Sequence, residues 1–292
     1  MKVQIVIPVI NLWRDYTKPC IDSVIRASRN INYRIFLIDN GSTDETQIEA
    51  QKLISDRFLY HRNEVSWPLS KAWNYGIRRA FEDGYDYAFV INNDVLIHPD
   101  AIDKLVARLK NSENELVIVT CMNVKSECDQ LGSPEKIFEM KSDDKSNVSE
   151  AEHPDFSAFM LSKKGWDLVG EFDEGFWPAY FEDNDYHYRI NLLRLKAITV
   201  PTAMFYHYGS RTQNQNIKQG RGLVPALLFE KNRTYMLSKW GSTNAHNIRY
   251  RHPFNDVFKD VKWTLQSAHT GDCACNVKCG AILSRFGNNA KK

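Results

Sequence analysis

What the 292-residue chain lacks narrows its class first. No apolar run approaches the ~20 residues that a helix needs to cross a bilayer. The first apolar run, residues 3–7, is too short for the core of a secretory leader, and no small-residue cleavage site follows it. A cytoplasmic location is therefore the default expectation. Neither sign of charge dominates: 38 basic residues stand against 36 acidic ones, for a net charge of +2. That balance gives no general reason to expect nucleic acid or an anionic membrane as partner. Cysteine is sparse, and Cys20, Cys121 and Cys128 are scattered in the manner of free thiols in a reducing compartment. Residues 9–16, directly after the first apolar run, contain no glycine. A nucleotidyltransferase would want a glycine-rich, basic loop there to cradle a triphosphate. No internal repeat or low-complexity segment is present. Hydrophobic content of 43% and charged content of 25% are those of an ordinary globular protein, either one large domain or a domain with an appendage.

What is present alternates between two periods. Residues 2–7 and 33–38 are short β-branched or apolar runs, and Tyr87–Ile91 is another. Strands covered on both faces read this way, and each of these ends in polar residues. Between them, residues 16–29, 69–81 and 99–110 carry apolar positions at helical spacing. Residues 58–60 and 116–121 predict further strands. Together these segments predict an α/β fold with a mostly parallel sheet. The turn 39–44, Asp-Asn-Gly-Ser-Thr-Asp, predicts a helix start with Ser42 or Thr43 as N-cap, and Asp44 as a structural cap. Residues 125–152 are polar without sustained period and predict a long solvated loop. Residues 156–161, 198–200 and 204–206 predict late strands, and residues 181–196 a helix opening with three acids. Residues 209–222 have the composition of a glycine-hinged loop. Residues 223–239 predict a helix stopped by Trp240-Gly241.

Several polar residues fall at strand ends or turns, on what should be the carboxyl edge of the sheet. They are Asp39, Asn63, Asn92, Asn93, Asp94, the pair Glu182 and Asp183, and His207. Ligands of open α/β sheets bind at that edge, and several acids converging there look like a site. A single carboxylate flanked by amides suits a hard cation such as Mg²⁺ or Mn²⁺ shared with a ligand's phosphates.

The order of motifs resembles the family-two glycosyltransferases of GT-A fold, which use nucleotide-sugar donors. The resemblance rests on Val-Ile-Pro at 6–8, Ile-Asp-Asn-Gly-Ser-Thr-Asp at 38–44, Ala-Trp-Asn-Tyr-Gly-Ile at 72–77 and Val90 to Val95. It continues through Gly-Glu-Phe-Asp-Glu at 170–174, Phe-Glu-Asp-Asn-Asp at 181–185 with Arg189, and His207. It covers roughly residues 3–212. It implies a GT-A domain over 1–241, with a nucleotide-sugar-binding half at 1–121, an acceptor and catalytic half at 153–212, and a C-terminal extension at 242–292. It further implies an inverting, metal-assisted transfer of a sugar to a hydroxyl of a glycan, glycolipid or glycoprotein. The donor would be a UDP-, GDP- or dTDP-sugar.

Carried over residue by residue, the resemblance gives Pro8 and Asp39 to the nucleotide pocket, Asp39 accepting from the base. It gives Asn74, Asn92, Asn93 and Arg211 to donor contacts, and Asp94 and His207 to the cation. Asn92 stands where the family's motif often has an acid, which leaves Asp94 as the charge. Asp183 takes the general base and Glu182 holds the acceptor or orients that base. An acceptor hydroxyl must lose a proton as it attacks the anomeric carbon, and the leaving diphosphate develops charge, so a base and a cation both have work there. Arg189 reads equally as a salt-bridge partner of Asp185. Trp177 and Tyr180 either stack on an acceptor sugar or pack the core. The alternatives to this reading are a nucleotidyltransferase and a catalytically inactive sugar-nucleotide-binding module. In the tail, His269, Cys273, Cys275 and Cys279 provide four soft ligands within eleven residues. They lack the usual zinc-knuckle spacing, and free thiols are the reading preferred over a zinc site.

Overall fold

The structure, a computed structural model, describes residues 1–112, 115–152, 154–209, 211 and 225–240. Its strands are β1 (Lys2–Val9), β2 (Asn32–Asp39), β3 (Phe58–Arg62), β4 (Tyr87–Ile91), β5 (Val95–Ile97), β6 (Leu116–Asn123), β7 (Ala158–Ser162) and β8 (Lys196–His207). Among the described residues they form one sheet in the order β3-β2-β1-β4-β7-β6-β8-β5. The β3-β2-β1-β4 half is parallel throughout. β7 runs antiparallel to both β4 and β6, β8 is parallel to β6, and β5 is antiparallel to β8. The helices are α1 (Lys18–Ala27), α2 (Thr46–Gln51), α3 (Leu69–Glu82), α4 (Ala101–Lys110), α5 (Lys125–Gln130), α6 (Lys163–Val169), α7 (Glu182–Leu192) and α8 (Pro225–Trp240).

The period-2 geometry of β1 divides its side chains between two cores. Val3, Ile5 and Ile7 pack with Cys20, Ile21 and Val24 of α1 and with Ile102 and Leu105 of α4. Val6, on the other face, packs with Ala72, Trp73 and Ile77 of α3, Trp166 of α6 and Tyr186 of α7. The sheet is thus the middle layer of three, which is why its central strands read as unbroken apolar runs. Close packing of α3 requires Gly76, because a Cβ there would lie 2.2 Å from Cγ1 of Val6. No helix among the described residues is long and apolar enough to cross a membrane.

Three expectations change. Residues 125–152 are not a bare loop. They hold α5 and two short 3₁₀ turns, Pro134–Phe138 and Ser142–Lys145. Val124, Cys128 and Ile137 there pack on Leu96, Met204 and Tyr206 as a small satellite core. The two late strands are one, β8, with a shift of register against β6 between Cys121 and Met122 that absorbs Pro201. The helix after β2 begins at Thr46. Its first turn is held by Asp44, whose Oδ1 accepts from the Thr46 N–H at 3.0 Å, while Ser42 Oγ accepts instead from the Asn11 N–H at 2.8 Å. The tail with Cys273, Cys275 and Cys279 lies outside the described residues.

Candidate active site

β1 leads through α1 toward β2 on one side, whereas β4 lies on its other side. The carboxyl ends of β1 and β4 therefore flank the point where chain order reverses, the crevice in which open α/β sheets bind ligands. Asn92, Asn93 and Asp94 follow β4 directly. Asn93 is buried, and its Nδ2 donates to Thr17 Oγ1 at 2.9 Å. The Asn92 carbonyl accepts from the Cys20 thiol at 3.5 Å. Asp94 is 5% exposed. The antiparallel pairing of β5 with β8 sets His207 opposite Val95, one residue beyond Asp94. Their side chains meet, with His207 Nε2 3.1 Å from Asp94 Oδ1. Burial alone would lower the His207 pKa, but the hydrogen bond and charge of Asp94, with help from Asp155, outweigh it and raise the pKa. The Arg211 N–H donates to Asp94 Oδ2 at 3.4 Å, and the buried Arg211 Nε has no partner among the described residues.

This corner fits a divalent cation and its anionic ligand. One carboxylate and one imidazole nitrogen meet at hydrogen-bond distance; the carboxylate suits Mn²⁺ or Mg²⁺, and the imidazole is a ligand for first-row transition metals. Two protein ligands suffice where phosphates complete the shell; no group of three or more His, Cys, Asp or Glu ligands occurs among the described residues. The Arg211 guanidinium nitrogen left without an acceptor among the described residues can donate to such an anionic ligand.

The second corner lies where β1, β2 and β3 end. Pro8 pairs with Ile38, and Val9 with Asp39. Asp39 has no exposed surface. Its Oδ1 accepts from the Ser42 N–H at 2.7 Å; its Oδ2 accepts from Tyr60 Oη at 2.7 Å and from Arg62 at 2.8 Å. The exposed polar edge here is the guanidinium of Arg62, 30% exposed, and not the carboxylate behind it. Asn63 joins this corner, donating to Asn40 Oδ1 at 2.9 Å. Asn11 ties β1 to the turn. In the left-handed conformation at φ 59°, its Oδ1 accepts from the N–H of Thr43 at 2.7 Å and of Asp44 at 3.2 Å. Asn is among the residues that tolerate this conformation, and its short amide explains the choice.

The acid pair opens α7. Glu182 is 5% exposed, and its Oε2 has no partner among the described residues. Burial, then the adjacent Asp183 charge, push its pKa well above the ordinary carboxylate value. Asp183 is half-buried, and its Oδ1 accepts from the Asn184 N–H at 2.8 Å. The residues ahead of the pair, Tyr180 and Phe181, both hold positive φ, 83° and 72°. Such backbone is costly for aromatic residues and collects at functional sites. Leu69 N–H, at the first residue of α3, donates to the Pro178 carbonyl at 2.9 Å. A helix between two parallel strands starts at their carboxyl ends. This bond therefore fastens the segment leading to the acids at the edge that carries Asp94.

Asn74 and Arg189, which the sequence singled out, and two basic residues of α3 are engaged elsewhere. Both amide hydrogens of Asn74 are used, on the Phe172 carbonyl at 2.9 Å and Glu174 Oε1 at 3.0 Å, and its oxygen accepts from the Phe172 N–H. Buried and saturated in this way, it positions the 170–174 turn and is not free for the donor contact expected of it. Arg78 pairs with Glu171 of the same turn. Arg189 serves as the salt-bridge partner, its Nε 3.1 Å from Asp185. Lys71 lies over the Trp67 ring, 4.8 Å from its centroid. The glycine-hinged loop expected beyond Arg211 lies outside the described residues.

The Glycosyl transferase family 2 model matches residues 4–166, more than half of the chain. A galactofuranosyl glycosyltransferase of Leishmania donovani is 26% identical over 262 residues, which span 78% of this chain and 57% of the relative. A dolichol-phosphate mannosyltransferase of Pyrococcus furiosus is 29% identical over 115 residues, 39% of this chain and 32% of the relative. The chain therefore spans about half or less of these relatives' length. Among solved structures, that of GalNAc-T7 with UDP, GalNAc and Mn²⁺ superposes with a TM-score of 0.51 at 15% identity, covering 70% of this chain and 43% of the other. With its curled, mostly parallel sheet flanked by helices, the chain has a GT-A fold and belongs to glycosyl transferase family 2.

Proposed function

We propose that this glycosyltransferase moves a sugar, with inversion, from a nucleoside-diphosphate sugar to a hydroxyl of a glycan, glycolipid or glycoprotein. The observation that carries the reading is the meeting of Asp94 with His207 where β1 and β4 part, at the edge to which the acid-pair segment is also fastened. The nucleoside would lie along the ends of β1 to β3, with Pro8 beneath it. Asp39 would act on the base through Arg62, whose guanidinium it holds outward. Asp94 and His207 would hold Mn²⁺ or Mg²⁺. A bound cation would supply positive charge to the diphosphate as it departs. Arg211 Nε, Asn92 and Asn93 line the same corner, and Arg211 adds charge-assisted donation to a diphosphate oxygen.

Asp183 is the base. It is the more exposed acid of the pair, and the raised pKa of Glu182 keeps Glu182 itself from presenting a second full charge beside it. The acceptor hydroxyl approaches from the face opposite the leaving group and passes its proton to Asp183. Glu182, protonated, hydrogen-bonds the acceptor or holds the base. A likeness to a structure containing UDP and Mn²⁺ supports a uridine nucleotide as the first donor series to try.

The test is Asp183→Asn, assayed for sugar transfer and for UDP binding with Mn²⁺. The expected result is intact nucleotide binding and transfer reduced at least ~10²-fold. Transfer at the wild-type rate would refute the assignment. A wild-type chain that binds nucleotide sugar yet neither transfers nor hydrolyses it would instead be a binding module.

A further inference from the structure

The acid pair sits on a short helix preceded by two left-handed residues, so something else has to hold it. Four side chains of α8 converge on that segment. Asn232, fully buried, donates through Nδ2 to the carbonyls of Ala179 at 2.7 Å and Tyr180 at 3.2 Å, directly ahead of the pair. Lys239, 3% exposed, reaches Asp185 Oδ1 at 2.7 Å and also bonds Asp173 Oδ2. Tyr235 Oη donates to that Asp173 oxygen at 3.1 Å, and Trp240 Nε1 donates to Asp185 Oδ1 at 2.7 Å. Asp173 belongs to the 170–174 turn and Asp185 to α7, one turn past Glu182. With Arg189 on Asp185, the cluster holds two carboxylates and two cations under one cover. That cover is the small core of Phe176, Phe181, Tyr188, Met236 and Trp240. The fit is close: a Cβ on Gly175 would lie 2.6 Å from Tyr235 Oη.

We propose that α8 is a buttress for catalysis, with Lys239 and Asn232 as positioning residues that fix the angle of the Glu182–Asp183 pair. The family match ends at residue 166, before every one of these groups. Lys239 locks the turn at 173 to the helix at 185. Asn232 holds the strained carbonyls between them. Neither needs to touch donor or acceptor. Without Lys239, buried Asp173 loses its ion-pair partner while Asp185 keeps Arg189, so Asp173 must change partner or protonation and the turn that carries it shifts against α7. A displacement on the order of 1 Å of a catalytic group is enough to cost ~10²-fold in rate.

The inference rests on Asp183 being the base, so its test has one arm independent of activity. The full chain is compared with Asn232→Ala, Lys239→Met and Lys239→Arg. Amide hydrogen exchange over residues 176–186 reads the buttress directly, and transfer kinetics read its consequence. The expected result for Asn232→Ala and Lys239→Met is exchange of that segment faster by at least ~10-fold, with exchange over β1 to β4 unchanged. Their kcat should fall by ~10-fold or more while donor KM stays within about twofold. Lys239→Arg, which retains the charge, should recover part of the rate. Unchanged exchange together with unchanged kcat overturns the proposal, as does a loss of donor binding that parallels the loss of rate. If Lys239→Met does not fold, Asn232→Ala alone decides. If Asp183→Asn transfers at the wild-type rate while segment exchange responds as described, the buttress stands and the base assignment falls.

Discussion

A carboxylic acid sealed from water with one oxygen unbonded among the described residues, as Glu182 is, has a thermodynamic signature. Burial and the Asp183 charge raise its pKa in the folded chain. Over the window from the ordinary value, about 4.3, up to the raised one, the folded state keeps a proton that the unfolded state releases. The stability this group allows is therefore greatest below the window and falls as pH rises through it. Glu182→Gln, neutral at every pH, escapes the loss. Its melting temperature should gain on the wild type as pH rises from 4 to 8, and a pH-independent difference in thermal scans would contradict the assignment. At the other corner, Asp94→Asn keeps the size of the side chain and removes its charge. Sugar transfer should fall at least ~10²-fold, and the dependence of rate on added Mn²⁺ should flatten; an unchanged metal dependence would point to other ligands. The candidate residues that stand out in the sequence are those marked by a strand end, a helix start or the family's motif order. Asp94 and the acid pair announce themselves by position, and His207 by its place in the family's motif order. Asn11, Asn232 and Lys239 gave no such signal, because their partners lie 31 to 66 positions away and nothing in the intervening sequence marks the contact. Asn74 misled in the opposite direction, since a buried amide bonding a turn and an amide bonding a ligand look alike in one sequence.

Elements separate by how well their period survives. The α3 helix was plain, because Ala72, Trp73, Ile77 and Ala80 repeat on one face and are all buried. Its glycine tests the packing: Gly76→Ala should cost ~1–3 kcal/mol through overpacking against Val6, read as a lower midpoint in denaturant with unchanged slope. A silent substitution would mean that α3 stands farther from β1 than described. The segment 125–152 was misread because its turns are each shorter than one full amphipathic repeat. Their apolar contacts are spread over Val124, Cys128 and Ile137 rather than recurring. β8 was divided because Pro201 cannot donate to a ladder, yet the strand crosses it with a shift in register. In each case tertiary contact supplied what local pattern did not.

At the scale of the whole molecule, one sheet carries both the Asp94–His207 corner and the Asp39 corner, so ligand binding there should report as global stability. A ligand that binds the folded chain alone stabilises it by RT ln(1 + [L]/Kd), about 2.7 kcal/mol at a hundred times Kd. UDP with Mn²⁺ together should therefore raise the melting temperature more than the sum of their separate effects. Asp94→Asn should remove the excess while leaving the shift caused by UDP alone. Strict additivity in the wild type would argue that cation and nucleotide do not share a corner. The parallel half of the sheet, and hence the crevice, followed from buried runs and the helices between them. The antiparallel placement of β7 and β5 did not follow, because short apolar runs carry no mark of direction.

His207 is borne by a ladder strand rather than by a loop. Its backbone is pinned by β5 on one side and by β6, through the rest of β8, on the other. Asp183, in contrast, depends on a distant helix for its pose. With the roles proposed above, the chain would join a stiff donor pocket to an acceptor side that can be retuned from outside, and substitutions that broaden acceptor choice should accumulate around α8 while those around His207 are purged.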